Sequence, residues 1–129
     1  MKKCKLLAFL ICDRAVRVSD NKVTLHGLFD RIIIPPAHRP QLVFSVYYKV
    51  VVEEPCAVSL RLHDPEGHQI PGNWRDTVTE IGPMQSRWAL SSSLFKKSGP
   101  YVLELRQECN GFKPVRLATT LLKVDQVGE

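Results

Sequence analysis

The sequence lacks the signals that most directly assign a function to a protein of this size. It has no Cys-x-x-Cys pair, and no histidine pair stands at zinc-finger distance from any of its four cysteines, Cys4, Cys12, Cys56 and Cys109. No apolar run approaches the roughly 20 residues that span a membrane. No tract of low complexity argues for disorder. We therefore expect no metal ion, no cofactor and no membrane span.

Cysteine is also too scattered to define a disulfide framework. The chain has 129 residues, of which 44% are apolar, so a single domain over residues 1–129 can bury a core without covalent links. We expect the four cysteines to be free thiols, buried or half-buried.

No secretion signal is apparent near the amino terminus. Residues 6–12 are apolar and follow a basic start, but Asp13 and Arg14 come directly after them, and no small-x-small cleavage site appears. The sequence therefore predicts a cytoplasmic protein.

The positive charge is not concentrated in one segment. There are 18 lysines and arginines against 13 acidic residues, a formal net charge of +5, but the densest cluster is Lys2, Lys3 and Lys5. Surfaces that follow a phosphate backbone usually concentrate basic residues along one element. Binding to nucleic acid or to an anionic surface is therefore an alternative function, and a solvated, mildly basic surface is the favoured interpretation.

What the chain does contain is an alternation of apolar and polar residues with a period of two, which is typical of strands with one face in a core. It is clear in "QLVFSVYYKVVVE" and "CAVSLRLHD", and "WALSSSLF" is interpreted as a further strand. In "YVLELRQEC" the alternation predicts one inner face, formed by Tyr101, Leu103, Leu105 and Gln107. In "FKPVRLATTLL" it predicts another shared face, formed by Val115, Leu117, Thr119 and Leu121.

No segment shows a sustained helical period with caps, so helix should be scarce. About eight short strands separated by turn residues predict an all-β protein, a single antiparallel β-sandwich. The stretch "SGPYVLEL" resembles the penultimate strand of immunoglobulin-like domains, in which a tyrosine hydroxyl bonds to nearby backbone. Tyr101 would fill that role, and we expect an immunoglobulin-like sandwich.

Two apolar-Asp-Arg units are the most distinctive local feature, Asp13-Arg14 in "ICDRAVRV" and Asp30-Arg31 in "LFDRIIIPPAHRP". The polar "SDNK" between them predicts a hairpin whose two central residues are Asp20 and Asn21. That register places Arg14 opposite Gly27, Cys12 opposite Phe29 and Asp13 opposite Leu28. The two acids then become diagonal neighbours on one face, roughly 7 to 8 Å apart at the backbone.

Two interpretations of this pair remain open. Asp13 and Asp30, with Arg14 and Arg31 close by, could bind a cation or act as acid and base. Alternatively, Gly27 marks a bend or bulge, and the acids pair with arginine or backbone at the rim of the sheet. We favour the second interpretation, because no serine, cysteine or histidine set accompanies the acids in a recognised catalytic spacing.

Over most of its length the chain resembles a family. "LAFLICDRAVRVSDNKVTLHGLFDRIIIP" is similar to the opening of a family of small bacterial proteins known as a domain of unknown function, and "HGLFDRI", with Gly27, Phe29 and Asp30, is the most specific part. "HDPEG" and "SGPYVLEL" fall where that family has an Asp-x-x-Gly turn and a Gly-x-Tyr strand. The resemblance implies a cytoplasmic β-sandwich and carries over no catalytic or binding residue.

The favoured function is a non-enzymatic binding or protein-interaction module, because no catalytic constellation is recognised and sandwiches often serve as scaffolds. The expected partner is another protein, or a second copy of the chain, bound through a sheet edge. A nucleic-acid or anionic-surface binder is the alternative, and an enzyme or metal site that uses Asp13 and Asp30 is a weaker one.

Overall fold

The computed structural model describes residues 3–19, 22–34, 42–109 and 113–126. In these ranges the regular structure consists of ten strands and one three-residue 3-10 turn, Ser92–Leu94. The strands are β1 Cys4–Ser19, β2 Lys22–Leu28, β3 Arg31–Ile34, β4 Val43–Val52, β5 Cys56–His63, β6 Gln69–Ile70, β7 Arg75–Val78, β8 Gly82–Ser91, β9 Gly99–Glu108 and β10 Val115–Gln126. The expectation of an all-β chain with scarce helix is confirmed.

The strands form two sheets that pack face to face as a sandwich. The first sheet has the order β2-β1-β4-β8, and the second has the order β3-β10-β9-β5, with β6 and β7 pairing separate parts of β5. The β3–β10 pair is parallel, so the expectation of a wholly antiparallel sandwich of about eight strands was wrong in this detail. The additional strands β3, β6 and β7 have two to four residues each, too few to show a period of two.

The core lies between the two sheets and is built from their inner faces. In β4, Phe44, Val46, Tyr48, Val50 and Val52 are buried, as the alternation predicts. Trp88 of β8 stacks on Tyr48 with ring centroids 4.6 Å apart. An aromatic chain of Phe29, Phe44, Phe95 and Tyr101 continues the core toward β9, with centroid distances of 4.9 to 5.6 Å.

Strand β9 follows its prediction residue by residue. Tyr101, Leu103, Leu105 and Gln107 are at most 2% exposed. The Tyr101 hydroxyl donates to the backbone oxygen of Lys97 at 2.9 Å and accepts from the Lys97 backbone N–H at 3.1 Å. The expected bond from this tyrosine to nearby backbone is therefore confirmed, and it fixes the chain where it enters β9.

Strand β10 begins directly after Pro114, but its faces differ from the prediction. A bulge between Arg116 and Ala118 shifts the pairing with β9 by one residue. Beyond the bulge Leu122 and Val124 are buried, while Leu121 is 59% exposed. The prediction of one shared face for Val115, Leu117, Thr119 and Leu121 was therefore wrong, because one extra residue reverses every later side chain.

Three of the four cysteines, Cys4, Cys12 and Cys56, are buried, and Cys109 is partly buried; all four are free thiols. This distribution agrees with the expected burial. Across the described ranges, no helix is long and apolar enough to cross a membrane.

Candidate functional site

The structure places Asp13 over the backbone of Gly27. Pairs Cys12–Leu28 and Arg14–His26 bracket these two residues in the β1–β2 ladder. Gly27 has a φ of +66°, and a Cβ built on it would lie 2.0 Å from Asp13 Oδ2. The acid therefore occupies the space that only a glycine leaves open, at a bend in β2.

The predicted hairpin register holds only next to the turn. Ser19 pairs with Lys22, as a two-residue turn requires, although the turn residues Asp20 and Asn21 lie outside the described residues. A bulge between Arg17 and Ser19 then shifts the ladder by one residue. The expected pairs Arg14–Gly27, Cys12–Phe29 and Asp13–Leu28 were therefore wrong, because the extra residue at Val18 cannot be read from the alternation.

The second Asp-Arg unit lies where the chain passes from the first sheet to the second. The Asp30 backbone oxygen accepts from the Lys123 N–H at 2.9 Å, while its neighbour Phe29 still donates to Ile11 of β1 at 3.1 Å. Arg31 Nε donates to Asp125 of β10 at 2.7 Å. These contacts tie Asp30 and Arg31 to β10, whereas Asp13 lies against β2 and Arg14 lies opposite His26.

The two units therefore have different neighbours and different local roles. Over the described ranges, no group of three or more His, Cys, Asp or Glu side chains is placed to hold a metal ion. Asp13 and Asp30 line none of three clefts found on the described part of the chain. The structural role of both acids at the sheet rim stays a prediction.

A second polar group covers the outer face of the larger sheet. It consists of four arginines and two glutamates from β5, β7, β9 and β10, namely Arg61, Arg75, Arg106, Arg116, Glu104 and Glu108. Glu108 lies 3.4 Å from Arg61 and 3.5 Å from Arg75, and Glu104 lies 3.3 Å from Arg116. Glu104 Oε1 is also 3.0 Å from the buried Arg106 Nε, at an angle that makes an ion pair and no hydrogen bond. The guanidinium groups are thus paired with carboxylates across the sheet.

Glu108 is expected to give this group a pH dependence. The hydrogen bond from Ser59 holds the pKa of Glu108 below its ordinary value, supported by Arg61 and Arg75 and opposed by partial burial. A carboxyl with a lowered folded-state pKa stabilises the fold above its unfolded-state pKa, and this contribution is lost as the pH falls through the folded value. Glu108→Gln should lower the free energy of unfolding by about 1–2 kcal/mol at neutral pH, and by less below about pH 4.

Urea denaturation of the wild type and Glu108→Gln across pH 3 to 7 measures this difference. Glu66→Gln is the matched control, because Glu66 forms an exposed ion pair with Lys97 and its loss should change stability little. A difference between wild type and Glu108→Gln that is the same at every pH would contradict the expectation.

The feature most suited to binding is the free edge of β8. This strand is the last of the first sheet and pairs with β4 over all ten of its residues, from Gly82–Val52 to Ser91–Val43, with no register shift. On its other side no second strand pairs with it within the described part of the chain. An unpaired row of backbone N–H and C=O groups is a template for another strand.

The side of each β8 backbone group can be assigned. Ser92 directly after β8 donates its N–H to the Leu42 oxygen at 2.8 Å, so even-numbered residues bond to β4. Because the register has no shift, the odd-numbered residues Arg87 and Ala89 direct their N–H and C=O groups away from β4, to the outer edge of the sheet. Pro83 falls in the same odd set, as expected of a proline, which has no N–H to give to the ladder.

The side chains beside this edge are held in place. The Tyr47 hydroxyl bonds to Gln85, and Arg87 Nε donates to the Ala15 oxygen at 2.8 Å. Ala15 belongs to the β1–β2 hairpin, which packs over Tyr47 on the outer face of the sheet. Contacts with Tyr47 and with the hairpin therefore hold the side chains of Gln85 and Arg87. No strand of the hairpin pairs with the outer edge of β8.

The other edge strands are protected in ways that β8 is not. β3, β6 and β7 have only four, two and four residues. β2 has seven, and its ladder contains a bulge and the bend at Gly27. Natural sheets use short, bulged or bent edges to prevent unwanted pairing. The ten-residue edge of β8, with a single proline near one end, is therefore less protected than the other edges of the described strands.

The fold is a β-sandwich, and β8 is a long strand at the edge of its first sheet. A family model described as a family of unknown function (DUF6941) matches residues 7–109, which is most of the chain. The protein belongs to this family, and the expected membership in a domain-of-unknown-function family is confirmed.

A solved structure, the C-terminal domain of wzt, has a similar fold. Its TM-score is 0.61 at 13% sequence identity, over 99% of this chain and 77% of that one. At this identity the likeness shows the fold alone. No protein of curated function matches the sequence significantly.

Sequence reasoning missed most of β8. "WALSSSLF" covers only the second part of the strand, because polar Ser86 takes an inward position and interrupts the alternation before Trp88. Pro83 was the available signal, since a proline within a strand indicates an edge. The alternation of Glu104, Arg106 and Glu108 in β9 likewise marked the outer charged face, but their partners from β5, β7 and β10 became visible only in the fold.

Proposed function

We propose that the protein is a non-enzymatic interaction module that binds another polypeptide by strand addition to the free edge of β8. The observation that carries this proposal is the outward direction of the N–H and C=O groups of Arg87 and Ala89, on an edge strand without a register shift. In strand addition, main-chain hydrogen bonds supply affinity and alternate side chains supply specificity.

The two faces of β8 indicate what the added strand should look like. On the inner side Trp88 and Leu90 are buried and Met84 is partly buried. On the outer side Arg87 is exposed and Gln85 is partly buried. A bound segment should therefore alternate, with apolar residues facing the core side and polar or acidic residues beside Arg87.

A second copy of the chain is one such partner, since two β8 edges can pair antiparallel around a two-fold axis. A different protein with an extended alternating segment is the other. Both use the same backbone groups, and the oligomeric state distinguishes them.

The strand arrangement also supports the finer assignment of an immunoglobulin-like topology, which we include in the proposal. The sets β1-β4-β8 and β5-β9-β10 correspond to the A-B-E and C-F-G strands of such domains, and Tyr101 occupies the tyrosine-corner position at the start of β9. Domains of this type commonly serve recognition, with the site itself deciding the partner.

The test blocks the edge without breaking the sheet. Ala89→Pro removes an outward N–H that β4 does not use, and Ala89→Val is the matched control, which keeps that N–H and adds bulk. Sedimentation of the purified variants measures self-association, and quantitative capture from a lysate of the host measures other partners. We expect the wild type and Ala89→Val to bind the same partner. Ala89→Pro should bind it at least about tenfold more weakly, which corresponds to a loss of about 1.4 kcal/mol or more of binding free energy.

Amide hydrogen exchange of the complex provides the second measurement. The N–H groups of Arg87 and Ala89 should exchange more slowly in the complex than in the free protein. Equal capture of the partner by the wild type, Ala89→Val and Ala89→Pro would show that binding occurs elsewhere. The proposed function would be overturned if the wild type is monomeric and captures no protein that Ala89→Pro does not also capture.

A further inference from the structure

Three of the four cysteines meet at one end of the sandwich, although they are far apart in the sequence. Cys4 begins β1 in the first sheet, Cys56 begins β5 in the second, and Cys109 follows the end of β9. The Sγ atoms of Cys4 and Cys56 are 3.9 Å apart. Cys56 and Cys109 line the same cleft.

The register explains why Cys56 lies between the other two. The β5–β9 ladder ends at Ala57–Glu108, so one further residue on each strand brings Cys56 opposite Cys109. Cross-strand residues have Cα atoms about 4.5 to 5.5 Å apart, within the range that a disulfide spans. Cys56 can therefore bond to a neighbour within its own sheet or to Cys4 across the core.

The three thiols differ in access to solvent. Cys4 is completely buried and Cys56 is 8% exposed, whereas Cys109 is partly exposed. An open cleft of about 470 Å³ is lined by Cys56 and Cys109 together with Lys3, Arg75 and Glu108. A small reagent can thus reach Cys109 from the cleft, whereas Cys4 is completely buried and does not line the cleft.

We propose that these residues form a redox site in which oxidation enters at Cys109 and ends as a Cys4–Cys56 disulfide that links the two sheets. The oxidant is a hydroperoxide, which the proposal takes from solution. The site is independent of the β8 edge, so it goes beyond the proposed binding function.

The steps balance as two thiols oxidised by one peroxide. The Cys109 thiolate attacks the O–O bond, which gives a sulfenic acid and, after proton uptake, one water from hydrogen peroxide. Cys56 gives up its proton and attacks the Cys109 sulfur, forming a Cys56–Cys109 disulfide and releasing the second water. Cys4 then gives up its proton and attacks Cys56, and Cys109 leaves as a thiolate that takes up a proton.

The electrostatic surroundings favour this order of events. Burial raises the pKa of the Cys4 thiol to about 12 and also raises the pKa of Cys56, so neither buried thiol is a good first nucleophile. Lys3 opposes this effect at Cys56, because its ammonium group favours the thiolate. Lys3 is itself held at the cleft by an ion pair with Glu54.

The final disulfide would fasten the first strand of the sandwich. The backbone N–H of Cys4 already donates to the buried Gln107 side chain at 3.0 Å, which positions Cys4 against the second sheet. The Cys4 and Cys56 sulfurs need to approach from 3.9 Å to the S–S distance of about 2.05 Å. The bond closes the long loop between residues 4 and 56, and loop closure of this kind stabilises the folded state.

The test treats the full-length protein with hydrogen peroxide, alkylates the remaining thiols after unfolding and maps the disulfide by mass spectrometry. We expect one intramolecular Cys4–Cys56 disulfide, with Cys109 and Cys12 still alkylated. Cys12 is an internal control, because it is buried in a separate cluster with Ala15 and Tyr47. The oxidised protein should melt roughly 5 °C or more above the reduced one, and a thiol reductant should reverse the shift.

Cys109→Ser distinguishes the proposed route from direct oxidation of the buried pair. It changes a partly exposed residue, so the variant should fold, and it should form the Cys4–Cys56 disulfide at least about tenfold more slowly than the wild type. An equal rate in both proteins would overturn the proposal, as would a stable Cys56–Cys109 end product. Four free thiols, or disulfides only between molecules, would also overturn it.

Discussion

Leu103→Ala is expected to lower the free energy of unfolding by about 2–5 kcal/mol, through lost burial and the cavity that remains. Leu103 is completely buried at the centre of β9, between β5 and β10. Because β9 is an interior strand of the larger sheet, the backbone has little freedom to collapse into the space. A urea denaturation midpoint, with an unchanged slope, measures the loss.

Leu121→Ala is the matched control for this substitution. Leu121 pairs with Val102 on the neighbouring strand but is 59% exposed, because the bulge in β10 turned its side chain outward. Its replacement should change stability by less than about 0.5 kcal/mol. Similar losses for Leu103→Ala and Leu121→Ala would contradict the assignment of inner and outer faces in both strands.

β9 shows what alternation alone can establish. Every inner residue from Tyr101 to Gln107 was predicted, and the tyrosine bond to Lys97 was predicted with them. The strand has no bulge against β5, and both of its neighbours are long, so the period of two is undisturbed from end to end. Where the ladder is regular, a sequence determines which side chains face the core.

The wrong predictions of register and facing occur where one residue was inserted into a ladder. Val18 displaced the predicted hairpin register, and Leu117 reversed the faces of β10. An inserted residue of this kind leaves no mark in the alternation of apolar and polar residues. The diagonal placement predicted for Asp13 and Asp30 likewise depended on a register that the structure does not adopt.

The candidate sites were less predictable than the fold because they join distant segments. The parallel β3–β10 pair brings residues 31–34 beside 123–126, and the thiol site joins residues 4, 56 and 109. None of these combinations has a characteristic spacing along the chain. The free edge of β8 depends on which strands lack a neighbour, and that is a property of the complete sheet order.

Gly27 gives the second large expected effect. Gly27→Ala should lower the free energy of unfolding by about 1–3 kcal/mol, since a non-glycine residue at φ +66° is strained. The new Cβ would also lie 2.0 Å from Asp13 Oδ2 and 2.8 Å from Asp13 Cγ, so the carboxylate must move. Denaturant unfolding of the variant and the wild type measures the sum of both effects.

Two comparisons separate the strain from the contact. Gly67→Ala has a similar φ of +86° but no atom within 4 Å of the new Cβ, so it should show the backbone cost alone. Gly27→Ala in an Asp13→Ala background removes the two contacts with the carboxylate, leaves the Asp13 Cβ at 3.3 Å, and should approach the same value. The amount by which Gly27→Ala loses more unfolding free energy than Gly67→Ala then measures how firmly Asp13 is held over the bend. If Gly27→Ala and Gly67→Ala lose the same stability, the Asp13 carboxylate moves aside freely and the bend relies on the glycine alone. If Gly27→Ala loses more, and the excess disappears with Asp13→Ala, the acid is part of the structure of the hairpin.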